Sequence, residues 1–349
     1  LKKAKWLSLF LLTATTLVGC SNGNENSSSN AADSNESVTL TVSSFGGTYD
    51  EVLTKYVVEP FENDHPNVNV ELAPYTGVTK IAQGGAGNID VIQLDDFDLI
   101  DAANQGYLKT INSENIPSLD SLYDQAKLYG KDENLYGIVN VFGAWGLAYN
   151  PEVVDQPTSW LDLSNQNYSG KVSLMSQWIP DILMIKEAVN SSESDMSKVW
   201  SYYEELTPSI SQYYSSFSSP ESLFSSNEIV LASWFDGRAY ALKDAGQSVE
   251  FTIPKEGGIL IRSGLGVLES SKNAELAMEF IEYTLKTEAQ IGFAEELYYG
   301  PTNEQVELPS DTLVVYGKED ISQLIAPDWN EILGYREEWL LKWTEVTTQ

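Results

Sequence analysis

One cysteine, one histidine and a shortage of positive charge exclude several classes of function for this 349-residue chain. Cys20 has no partner for an internal disulfide, and cysteine-type metal sites are excluded by count. A chain of this length can bury a core without covalent staples. His65 sits in the polar turn "NDHPN", a poor setting for a buried general base. The patterns H-E-x-x-H, G-x-x-x-x-G-K-[ST] and G-x-S-x-G are absent. The 20 Lys and Arg residues stand against 51 Asp and Glu, a net charge of −31. Such a chain offers no basic face to nucleic acid or to anionic lipid. The acidity favours solubility and does not by itself specify a cationic ligand. Trp6 to Val18 is an apolar run of 13 residues, whereas a helix that crosses a bilayer needs about 20. No repeat of 20–50 residues is visible.

What is present begins with Lys2, Lys3 and Lys5, followed by that apolar run, the layout of a secretory signal. "LVGC", ending at Cys20, resembles the bacterial lipobox, in which the cysteine is lipidated and becomes the mature N-terminus. The expectation is a signal peptide over 1–19 and a lipidated Cys20 with a flexible linker over 20–37. "SNGNENSSSNAADSNES" is too polar to offset the entropy cost of ordering. Removing 1–19 leaves 17 − 51 = −34 charges on the mature chain. Its membrane contact is then expected through the lipid only, on the outer face of a bacterial cell.

From Val38 onward strands alternate with helices, which predicts an α/β class with mainly parallel sheet. "VTLTVSSF" and "NVNVELAPY" alternate as strands, and "IDVIQLD" reads as a buried strand. Tyr49, Val52, Leu53, Tyr56, Val57 and Phe61 have helical spacing. "LYGIVNVFGAWGLAYNPEVV" reads as two glycine-punctuated strands back to back, suited to crossing between lobes. Further elements are expected as a helix over 181–189, a strand over 229–234, a helix over 238–245, a strand over 249–253, and one final helix in "DWNEILGYREEWLLKWTEV".

Across residues 38–349 the order and spacing of "SSFGGTYDE", "GNIDVIQLDDFDLIDAANQGYL", "TSWLDLSNQNYSGKVSL", "WFDGRAYALKDAGQ", "PKEGG", "SSKNAELAMEFIEYTL" and "YGPTN" resemble the solute-binding proteins of ABC importers, in the spermidine/putrescine-like branch. The resemblance implies a two-lobe periplasmic-binding-protein fold, each lobe a mainly parallel sheet flanked by helices, with ligand in the cleft between them. Lobe 1 is expected from 38–142 plus 262–306, and lobe 2 from 143–261 plus 307–349. No cofactor, no metal and no catalytic residue is expected. The expected partners are a small solute and a membrane permease, with the protein itself a monomer.

Ligands of such folds meet the carboxyl ends of strands and the helix starts that follow. Phe45, Gly47 and Tyr49 follow the first strand; free N–H groups of that turn suit a carboxylate or phosphate, and a tight turn with a packed aromatic is the alternative. Asp95 and Phe97 stand where polyamine-binding relatives carry a hydroxyl and an aromatic; helix capping by Asp95 is the alternative. Trp178 and Asp181 fall in the region where those relatives carry two acids. Trp234, Phe235, Asp236 and Arg238 supply aromatic faces and a guanidinium, or else Asp236 caps the next helix and pairs with Arg238. In "GGILIRSG" the relatives' Trp and Asp are replaced by Ile261 and Ser263, with Arg262 between them, so the pair that clamps a cation is missing. Arg262 either faces the cleft or points outward. The expected solute is therefore zwitterionic or anionic, like an amino acid, opine or aminophosphonate, with a polyamine second. Trp145 and Trp329 are expected in core or hinge packing, and Tyr335, Trp339 and Trp343 in docking the last helix. A secreted glycoside hydrolase with paired carboxylates is an alternative of another class, and a surface adhesin a third.

Overall fold

The computed structural model describes residues 37–309, 312–315 and 317–348. The signal segment, Cys20 and the linker up to residue 36 lie outside the described residues. No helix among the described residues is long and apolar enough to cross a membrane.

The strands are β1 (Val38–Ser44), β2 (Val68–Pro74), β3 (Val91–Asp95), β4 (Lys127–Tyr129), β5 (Leu135–Tyr149), β6 (Val172–Met175), β7 (Ile210–Tyr214), β8 (Leu231–Phe235), β9 (Glu250–Thr252), β10 (Gly258–Val267) and β11 (Leu324–Ile325). The first helix, α1 (Thr48–Leu53), passes through a π-helical turn (Thr54–Val58) into α2 (Glu59–Asp64). Then come α3 (Val78–Ala82), α4 (Asp96–Asn104), α5 (Ile179–Ala188), α6 (Ser197–Leu206), α7 (Ser219–Ser225) and α8 (Asp236–Asp244). The chain ends with α9 (Ala274–Thr284), α10 (Thr287–Leu297), α11 (Gly317–Ser322), α12 (Trp329–Ile332) and α13 (Arg336–Thr347).

The strands form one ladder in the order β2-β1-β3-β10-β5-β8-β6-β7, with β4, β9 and β11 at its margins. β1 pairs parallel with β2 and β3, and β6 pairs parallel with β7 and β8. β10 and β5 lie antiparallel to each other and to their outer neighbours β3 and β8. The crossing strands therefore join the two parallel sets into a continuous sheet, one set to each side of them. The segment read as two strands is one 15-residue strand, β5, buried along nearly its whole length. Its glycines do not interrupt it, because a largely apolar strand covered on both faces needs no turn. At the other end, the single helix expected over the tail is two, α12 and α13, separated at Leu333-Gly334-Tyr335.

β1 and β3 run one way and β6 and β8 the opposite way; each ends at the start of a helix, α1, α4, α5 and α8 respectively, so their carboxyl ends converge on the crossing strands. The main apolar core packs both faces of this ladder, and a smaller cluster around Trp234, Leu223, Phe224 and Ile229 fills the space behind β8. α13 docks through buried Trp339 and Trp343, the latter 4.8 Å from the Tyr213 ring.

The crossing strands approach closely at Gly264, where the ladder register shifts. A Cβ there would sit 2.5 Å from the Ile138 carbonyl oxygen, an overlap that side-chain motion cannot relieve. Gly264→Ala is expected to lower the free energy of unfolding by about 2 kcal/mol, read as a lower urea midpoint with an unchanged slope.

Candidate functional site

A cavity of about 730 Å³ opens where the strand ends meet. Its floor is the crossing pair, through Gly143 of β5 and Ile261 and Ser263 of β10. One wall is the β1–α1 turn with Asp95 and the end of α10; the other is Phe217, Phe235 and the exposed side of α8. Among the residues singled out in the sequence, Phe45, Gly47, Tyr49, Asp95, Phe235 and Arg238 share this cavity.

The aromatic lining is fixed from behind. Tyr49 lies edge-on to Phe45 at 5.2 Å and to Tyr299 at 6.4 Å, and stacks on Phe293 at 5.6 Å. Its hydroxyl donates to Gln93 Oε1 (2.9 Å), Gln93 Nε2 donates to Asn140 Oδ1 (3.1 Å), and Asn140 Nδ2 donates back to the Tyr49 hydroxyl (3.1 Å). All three side chains are buried, so this closed ring of donors and acceptors satisfies groups that water cannot reach. On the opposite wall Phe235 packs edge-on to Phe217 (4.9 Å) and Trp145 (4.8 Å).

Asp95 is the acid on the cavity wall beside the floor. It stands in direct register with Ser263, whose hydroxyl donates to Asp95 Oδ1 at 2.5 Å. Asp95 occupies the cap position of α4 but makes no side-chain cap bond, so capping is not its role. Burial pushes its carboxyl up to about 7, against the opposing Ser263 bond. The sequence comparison with polyamine binders placed a missing acid at position 263. The register shows that an acid is present at the same point, carried by the neighbouring strand.

The other candidates lie elsewhere. Phe97 and Trp178 line a separate small cavity of about 40 Å³ with Trp329 and Arg336, their rings 6.1 Å apart. Trp234 is core: its indole N–H donates to the Phe217 carbonyl at 2.8 Å. Asp181 is buried beneath the site, accepting from Trp145 Nε1 (2.7 Å) and the Ser233 hydroxyl (3.0 Å). Asp236 is also buried; it does not pair with Arg238, and its Oδ2 has no hydrogen-bond partner. Arg262 neither faces the cavity nor points to solvent. Its Nε donates to Asp96 Oδ2 at 2.6 Å and a terminal nitrogen donates to the Pro327 carbonyl at 3.1 Å, both side chains being buried. Strand alternation explains the placement: Ile261 and Ser263 face the cavity, so Arg262 faces away.

The glycine turn also differs from expectation. Gly46 and Gly47 have φ of 83° and 59°, the left-handed region glycine adopts freely. The Gly46 N–H, however, donates to Asp50 Oδ1 (3.0 Å), which also accepts from the Ser44 hydroxyl (2.5 Å). The turn already holds a carboxylate of its own chain, which weakens it as an anion site. Arg238 lines the cavity but is paired with Glu221 at 2.7 Å. Sequence reading missed Phe217, Glu221, Glu296 and Tyr299. Only Tyr299 had an accessible signal, its place as the first residue of "YGPTN". Among the described residues no three potential metal ligands come together.

Asp181 and Asp236 are each pushed up to about 7 by burial, from a usual value of 3.8. The folded state therefore holds protons that the unfolded chain releases between these values. These two groups contribute stability that is present below the unfolded value and lost as pH rises through about 7. Melting temperature should rise as pH falls from 8 to 5, and Asp236→Asn should flatten that slope in differential scanning calorimetry. Arg262→Met strands the Asp96 carboxylate and should cost about 3–5 kcal/mol, much of it recovered by adding Asp96→Asn, as read by urea unfolding.

Residues 56–316 match the family described as bacterial extracellular solute-binding protein. The spermidine/putrescine-binding periplasmic protein 1 of Haemophilus influenzae is 28% identical over 212 residues, 58% of this chain and 58% of that protein. The spermidine/putrescine-binding periplasmic protein of Escherichia coli is 27% identical over 177 residues, 49% of this chain and 50% of that one. The chain thus spans about half the length of the curated relatives it matches. Among solved structures, an ABC transporter protein of Clostridium perfringens superposes with a TM-score of 0.75 at 23% identity, covering 88% of this chain and all of that one. That likeness shows the periplasmic-binding-protein fold. The family is one of transport proteins rather than enzymes, and the glycoside-hydrolase alternative finds no support in it. By its match over residues 56–316, the chain belongs to the bacterial extracellular solute-binding protein family.

Proposed function

We propose that this chain captures a small amine-bearing solute for an ABC importer and hands it to a membrane permease. The observation that carries this reading is the Asp95 carboxylate set beside the cavity floor, with aromatic faces from both walls around it. An ammonium group is attracted to such a carboxylate and to ring faces together. Arg238, on the same cavity, suits a carboxylate or phosphonate at the other end of a zwitterion. Because Arg262 is spent on Asp96, a purely anionic solute loses its main support. A polyamine is the second reading, favoured by the pairing of Arg238 with Glu221 and of Glu296 with Lys55, which leaves Asp95 as the cavity acid without a basic partner among the described residues. The spermidine/putrescine naming of the relatives supports both readings.

Capture proceeds by hinge closure. The lobes, 38–142 plus 262–306 and 143–261 plus 307–349, turn about the crossing strands β5 and β10, and a solute touching both walls shifts the population to closed. The closed form meets the permease as a monomer, held at the outer face of the membrane by a lipid on Cys20.

A thermal-shift screen of putrescine, spermidine, 4-aminobutyrate, amino acids, opines and aminophosphonates should find stabilisation by amine-bearing compounds. Asp95→Asn should weaken the best of them by roughly tenfold or more in calorimetry. Stabilisation by amine-free carboxylates alone would refute the reading. Palmitate labelling in cells should be lost in Cys20→Ala, with the protein released into the medium.

A further inference from the structure

The two walls of the cavity meet along one rim. The end of α10 and the start of α8 approach so closely that a Cβ on Gly237 would lie 3.2 Å from the carbonyl oxygens of both Leu297 and Tyr298. Gly237, Leu297 and Tyr298 all line the cavity, so this contact borders the space where solute is held. Tyr298 terminates α10 in the left-handed conformation, φ 58°, which few non-glycine residues adopt. That conformation carries its ring over α8, 6.3 Å from the Tyr240 ring, and its hydroxyl donates to Asp244 Oδ2 at the end of the same helix. The phenol is pushed up to about 12, chiefly by that bond.

We propose that Tyr298 and Asp244 form a latch that holds the cavity shut along this rim, with Gly237 admitting the backbone that carries it. The inference rests on the hinge-closure reading above. The remaining charged groups of the rim are satisfied on their own side. Glu296 accepts from Lys55 and Tyr56, both at 2.7 Å, and Glu221 pairs with Arg238. The Tyr298–Asp244 bond differs in joining one wall to the other. A hydrogen bond to a carboxylate at an exposed position is weak enough to break on each opening, and it biases the closed state by roughly tenfold. The latch accordingly acts on solute-free protein, and it slows release of a bound solute by disfavouring opening.

The test uses the full chain with Cys20→Ser and spin labels on cysteines at Glu71 and Gln212, exposed positions on the outermost strands β2 and β7. Distances are measured by double electron–electron resonance without solute. Tyr298→Phe and Asp244→Ala should each move population to longer distances, to the same extent, and the double variant should add nothing further. Gly237→Ala should lengthen the distances by pushing on the two carbonyl oxygens. Equal distributions in the parent and both latch variants would overturn the proposal. So would a change in only one of them, because either substitution removes the same bond. The readout needs no solute, so a failed solute screen counts against the proposed function and not against the latch.

Discussion

The antiparallel pairing of β5 with β10 is the constraint on which the rest depends. It ties the β1–β3 set to the β6–β8 set, supplies the cavity floor, and places Asp95 and Phe235 on opposite sides of it. The close approach at Gly264 makes this pairing intolerant of side chains where the backbones touch.

Charge is distributed unevenly around that pairing. Asp95, Asp96, Asp181 and Asp236 all lie buried or half-buried near it, while Arg262 is the buried guanidinium among them. The register makes the imbalance specific. Asp95 faces Ser263 and Phe235 faces Trp145, so the following residues Asp96 and Asp236 occupy related places on the two sides. Asp96 is met by Arg262, the residue before Ser263; Asp236 is met by the neighbourhood of Ala144, the residue before Trp145, and stays uncompensated. Burial of acids without matching cations favours their protonated forms.

The site is also rigid before any solute arrives. The Tyr49–Gln93–Asn140 ring fixes an aromatic of the cavity to β3 and β5, and Gln290 extends the network by donating to the Asn140 carbonyl at 2.7 Å. Side chains held this way lose little entropy on binding.

The sequence by itself determined the class of fold and the neighbourhood of the site. Period-two and helical spacings located the strands and helices, and the turns after β1, β3, β6 and β8 were marked because ligands of such folds meet strand ends. Phe45, Tyr49, Asp95, Phe235 and Arg238 were legible for that reason. Only the tertiary structure decided which way each neighbour faces and what it meets. Arg262 and Asp96 are 166 residues apart, and no local pattern records their pairing. The acid that seemed to be missing at position 263 is supplied by Asp95 across a strand register, which is a property of the ladder and not of either segment. Trp234 looked like a cavity aromatic next to Phe235, yet alternation along β8 sends one to the core and the other to the cavity. Phe217 and Glu221 enter from a loop and from α7, whose own sequences carry no sign of the cavity, because long-range packing alone brings them there.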